Sequence, residues 1–126
     1  MRIPLLRRGA LVAALAIGAC TDAPVMPGQP VSVAHARIAP WEVREACADV
    51  DAGDRIDFRF DATEAVDLDL YYRQGQAVII PLSRKGTVAD AGVLEVRIPG
   101  RYCLAFRAGA AGAFVSYHVS VRGDDR

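Results

Sequence analysis

Residues 55–60 and 66–72 alternate in polarity, reading Arg-Ile-Asp-Phe-Arg-Phe and Val-Asp-Leu-Asp-Leu-Tyr-Tyr. Successive side chains of a β-strand point to opposite faces, so a period of two buries one face and wets the other. This predicts an antiparallel sheet with Ile56, Phe58, Phe60, Val66, Leu68, Leu70 and Tyr72 turned toward a core. Further strands are expected over 77–82, 93–98, 101–107 and 113–121, the last burying Val115, Tyr117, Val119 and Val121. Residues 31–34 alternate in the same way and can supply a first strand. Gly53, Gly75, Gly86, Gly92, Pro99-Gly100, Gly109 and Gly112 fall between these stretches, where turns are needed. No stretch has the period of a helix of useful length. Seven or eight short strands cannot bury their apolar faces as one flat open sheet, so the expected fold is all-β, an antiparallel sandwich or jelly roll.

The first nineteen residues are of a different kind. Arg2, Arg7 and Arg8 precede an apolar run from Gly9 to Ala19 that contains no acid, and the run stops at Ile17-Gly18-Ala19-Cys20. This is the basic, apolar and small-residue layout of an export signal. Eleven residues at about 1.5 Å each cover only about half of a ~30 Å hydrocarbon core, so the segment is too short to serve as a membrane-spanning helix. The small residues before Cys20 resemble the bacterial lipobox, with Ile17 where Leu is usual. The resemblance implies cleavage after Ala19, acylation of Cys20 and attachment to a membrane. An Asp directly after the cysteine resembles a signal for inner-membrane retention; Thr21 stands there and Asp22 follows, so the outer membrane is the expected address in a two-membrane envelope. Prolines 24, 27, 30 and 40 make 20–40 read as a tether of up to ~60 Å when extended. The folded domain is then expected over 41–122, with 123–126 as a tail.

Removing 1–19 takes away three arginines and leaves 12 basic against 15 acidic side chains, a net charge of about −3 that argues against nucleic acid as a partner. With Cys20 assigned to lipid, Cys47 and Cys103 remain, an even number in an exported chain, and a disulfide between them is the natural reading.

Taken together, the Cys before the first core strand, the two alternating stretches, Pro-Gly-Arg-Tyr-Cys-Leu-Ala-Phe and Val-Ser-Tyr-His-Val-Ser-Val resemble the GOLD domain of the p24 (emp24/gp25L) family over about 45–121. The resemblance implies a β-sandwich, a disulfide on Cys47 and Cys103, and an extracytoplasmic protein-interaction module. A second resemblance, through Asp69-Leu70-Tyr71 and Gly100-Arg101-Tyr102, is to pre-peptidase C-terminal domains, and implies a Ca²⁺-dependent binding module accessory to a secreted enzyme.

Hydrolytic chemistry needs a nucleophile beside a base. The histidines are His35, in the expected tether, and His118, which alternates out of phase with Tyr117 and Val119 and is expected on the wet face. Neither sits in a catalytic motif, so the chain is read as noncatalytic and in need of no cofactor. Asp49, Asp51 and Asp54 cluster before a strand as candidate oxygen ligands for Ca²⁺, and Asp57, Asp67 and Asp69 can share a face across paired strands; Arg55, Arg59 and Arg73, interleaved with these acidic residues, offer neutralising cross-strand pairs instead. Trp41, Tyr71 and Phe114 are the candidate exposed aromatics for contact with a protein or glycan partner.

Overall fold

The computed structural model describes residues 20–21 and 25–123, and the expected signal peptide and the last three tail residues lie outside it. Its strands are β1 (Cys20–Thr21), β2 (Val31–Ile38), β3 (Val43–Val50), β4 (Arg55–Gln74), β5 (Ala77–Glu95), β6 (Gly100–Ala108) and β7 (Ala113–Arg122). The architecture is all-β, as the alternation predicts.

The two alternating stretches are halves of one strand. β4 pairs along its length with β5 on one edge. On its other edge, 55–62 pair with β7 and 66–72 with β6. β6 and β7 thus run end to end against β4, interrupted by the turn 109–112. Irregular register around 62–65 bends β4, and the same inward parity continues past the bend, so the sheet curls over itself. One leaf holds β3, β6 and the second half of β4; the other holds β2, β7 and the first half.

The core lies between the leaves. Phe106, Leu68 and Val115 are fully buried, and every inward residue named from the alternation, from Ile56 to Tyr72 and Val115 to Val121, is at most 9% exposed. Burying one such large side chain stabilises by about 1.5–3 kcal/mol. Phe106 of one leaf packs its ring 5.2 Å from both Phe60 and Tyr117 of the other, and Phe60 and Tyr117 are themselves directly opposite on β4 and β7.

Two expectations are corrected. The stretches 77–82 and 93–98 do not form separate strands: β5 runs unbroken to Glu95, and Val93 is 56% exposed because it pairs with the outward Asp57. The expected tether is, from Val25 onward, part of the domain. Val25 is 1% exposed, and its N–H donates to the Cys47 carbonyl at 2.9 Å. The Gly28 N–H donates to the Val121 carbonyl at 3.2 Å, and β2 then pairs with β7. This segment closes the gap between the leaves, a task that depends on distant strands and leaves no local periodic signature.

Candidate interaction face

The outer face of β3, β6, β4 and β5 is assembled by register. Glu45, Ala105, Asp69 and Ser83 form one row; Cys47, Cys103 and Tyr71 form the next. Cys47 and Cys103, expected as a pair, are bonded directly opposite each other, with Cα atoms 4.0 Å apart. They point away from the core, since Ala46, Ala48, Tyr102 and Leu104 on either side of them point in, yet they are only 3% and 6% exposed.

The cover comes from the strands on each side of β6. The Tyr71 hydroxyl donates to Glu45 Oε2 at 2.6 Å, reaching from β4 to β3. Ala105, the small residue opposite Glu45, leaves room for that bond. Arg73 and Arg101 complete the rim around the disulfide. Beside it lies a shallow groove of about 320 Å³ whose walls include Val43, Asp67, Arg73, Arg107, Val78 and Ile80. Val78 and Ile80 are 47% and 49% exposed. The face therefore combines a tyrosine and arginines, residue types enriched where proteins meet, with carboxylates and uncovered aliphatic side chains on a cross-linked sheet.

Burial raises the Tyr71 phenol above its ordinary value of 10.0; the hydrogen bond to Glu45 and the Glu45 charge push the same way, opposed by Arg73 and Arg101. A phenol raised in the folded state holds its proton longer than in the unfolded chain, so its contribution to stability is complete below pH 10 and is lost as pH rises through the folded value. Tyr102, raised chiefly by burial, acts in the same direction. Tyr71→Phe is accordingly expected to cost about 1–2 kcal/mol at neutral pH and to flatten the alkaline fall in stability. Urea melts between neutrality and strongly alkaline pH check this, and a variant profile parallel to the native one would refute it.

The other candidate residues are placed as follows. Asp54 is buried, and its Oδ2 accepts the Asp51 N–H at 2.9 Å, closing the turn before β4; Asp49 lies outward on β3 opposite Arg101. Among the described residues, Glu45, Cys47 and Cys103 form the group of three donors that come within 4.8 Å of one another, and both its sulfurs are consumed by the disulfide. Two acidic residues of β4 are ion-paired, with partners that alternation does not single out: Asp57 with Arg122 at 3.2 Å and Asp69 with Lys85 at 3.8 Å. Trp41 and Phe114 are 66% and 45% exposed, whereas Tyr71 is half-buried.

The outer face of the other leaf holds a polar cluster that the sequence did not bring together. Ser32 Oγ lies 2.7 Å from His118 Nδ1, and Arg59 stands opposite His118 on β4. His118 is half-buried on the outer face, and His35 sits in a bulge of β2, with its N–H donating to Ser116 Oγ at 3.0 Å. Catalysis by such a pair needs a third group orienting the base, and among the described residues no carboxylate is hydrogen-bonded to His118.

No protein-family model matches the sequence, and no curated protein matches it significantly. Solved structures do resemble the fold. PliG of Aeromonas hydrophila, a periplasmic inhibitor of g-type lysozyme, superposes with a TM-score of 0.62 at 13% identity, covering 82% of this chain and 97% of its own. The pre-peptidase C-terminal domain of a Bacillus anthracis collagenase reaches a TM-score of 0.50 at 12% identity, covering 84% of this chain and 98% of its own. At these identities the likeness is one of fold.

Proposed function

We propose that this chain is a noncatalytic binding module of a bacterial cell envelope, anchored by lipid on Cys20, that recognises a protein partner through the outer face of β3, β6, β4 and β5. The observation that carries this reading is the juxtaposition of Val78 and Ile80 with Arg73 and the Tyr71–Glu45 pair on one rigid, disulfide-bonded surface. Uncovered aliphatic side chains in a groove lined by Arg73 and Arg107 together with Glu45, Asp67 and Asp69 suit a peptide or protein surface, which offers apolar area and charges of both signs. The occurrence of this fold in a periplasmic lysozyme inhibitor supports a protein as the partner and the envelope as the setting. The export signal and the residues around Cys20 support lipid attachment, with Thr21 pointing to the outer of two membranes.

Immobilised domain incubated with envelope extract should retain a partner that a Val78→Asp/Ile80→Asp double variant binds at least about tenfold more weakly, a loss of about 1.4 kcal/mol. Both positions are exposed, so the variant should melt with the native domain. Equal retention by both forms would remove this face from the reading. Intact mass of the full chain beside Cys20→Ala tests the anchor separately.

A further inference from the structure

The end of the sandwich nearest Cys20 is built from two apposed turns. The turn 39–42 joins β2 to β3, and 109–112 joins β6 to β7. The Trp41 N–H donates to the Gly109 carbonyl at 3.1 Å, and the Ala108 N–H to the Glu42 carbonyl at 3.0 Å, so the two turns form one tip. Residues 39–41 are Ala-Pro-Trp and residues 109–114 are Gly-Ala-Ala-Gly-Ala-Phe, nine uncharged residues in a chain that is 24% charged, bordered by Glu42 in the first turn, by Arg37 opposite Phe114 and by Arg107, whose guanidinium lies 3.5 Å from the Trp41 carbonyl. Its two large apolar side chains both reach solvent, Trp41 at 66% and Phe114 at 45% exposure. Trp41 is held at φ 66°, in the left-handed region that costs a residue with a Cβ about 1 kcal/mol or more.

The chain places this tip beside the anchor. Cys20 pairs with Arg44 at the free edge of β3, three residues after Trp41, or about 10 Å along extended backbone. Val25, five residues after Cys20, is already fixed in the core, so the link between them spans at most about 17 Å. No 60 Å tether remains to hold the domain away from the bilayer.

We infer that the tip formed by 39–41 and 109–114 is a membrane-contact surface, with Trp41 and Phe114 seated at the headgroup level of the bilayer that holds the acyl chains of Cys20. This rests on the lipid anchor proposed above. The acyl chains bring the tip within reach of the bilayer, tryptophan is the side chain most suited to that boundary, and the short link restricts the domain to standing on this end. The groove that carries Val78 and Ile80 then faces sideways, along the membrane surface, rather than down into it.

Trp41 is the sole tryptophan of the chain, so its fluorescence reads the tip directly. The full chain, isolated from the membranes of a host that processes it, is reconstituted into vesicles of phosphatidylethanolamine and phosphatidylglycerol, with and without brominated acyl chains. The expected result is a blue-shifted emission relative to the detergent-free Cys20→Ala domain, and loss of intensity in the brominated vesicles. Acylated chain that floats with the vesicles while Trp41 stays water-like and unquenched would overturn the orientation and leave the anchor standing. Chain whose mass shows no acyl group would overturn the anchor, and the orientation with it. Emission that shifts only when envelope protein is added, and never with lipid, would assign the tip to a protein partner and overturn the inference.

Discussion

Replacing Cys47 and Cys103 by alanine is expected to lower the unfolding free energy by about 4 kcal/mol, the entropy of closing a loop of this length in the unfolded chain. The two cysteines are 56 residues apart in sequence and directly opposite in the β3–β6 ladder, which runs from Val43↔Arg107 to Val50↔Gly100. That ladder holds its register without the bond, so most of the loss falls on the unfolded state, which regains the freedom to separate β3 from β6. Alanine is the right replacement because both positions are nearly inaccessible and a serine hydroxyl there would be buried. The double variant should melt roughly 15–30 °C below the oxidised domain, from about 4–8 °C per kcal/mol in a domain of this size. Reduction of the native protein should reproduce the shift. A difference under about 1 kcal/mol in urea titrations would contradict the chain-entropy account.

Phe106→Ala should cost about 3–5 kcal/mol, the range for removing a fully buried aromatic ring. The site cannot collapse easily, because the ring is clasped between Phe60 and Tyr117 of the opposite leaf at 5.2 Å each, and those two are fixed by their own pairing in the β4–β7 ladder. Phe114→Ala makes the same chemical change eight positions on, at a ring that is 45% exposed, and should stay within about 0.5 kcal/mol of native. Denaturant melts of the two variants therefore separate burial from composition. Equal losses would mean that Phe106 is not the contact holding the leaves together.

The fold was legible wherever burial imposed a strict period. Ile56 to Tyr72 and Val115 to Val121 face the core as their alternation requires, and the two cysteines left beside Cys20, read together with the expected export signal, point to the disulfide. β3 escaped notice because its inward residues Ala46 and Ala48 are too small to stand out in Val-Arg-Glu-Ala-Cys-Ala-Asp-Val. The union of two stretches into β4 was hidden for a related reason: the bend at 62–65 is solvent-exposed on one side and interrupts the apolar period without ending the strand. Val25 lies in a proline-rich stretch and is bonded to Cys47 of β3, while Gly28 three residues on is bonded to Val121 of β7, neither strand adjacent in sequence. Of the interaction face, Tyr71 was visible as an aromatic out of phase with the core. Its partner Glu45 was not, because their meeting requires β3 and β4 to flank β6, and that ordering is set by the whole sheet.

β7 lies between β4 and β2, the innermost place in its leaf, although it is the last strand of the described chain. A polypeptide is delivered in order, from its first residue to its last. When β2 has emerged it has no neighbour to pair with, and when β4 has emerged the edge that later meets β7 is bare from Arg55 to Ala62. Val119 and Val121 close the core over Phe58 and Ile56 only at the end. The two leaves therefore close at different times: β3, β6 and the second half of β4 can pair as soon as β6 has emerged, whereas the leaf of β2, β7 and the first half of β4 stays open until β7 has been made.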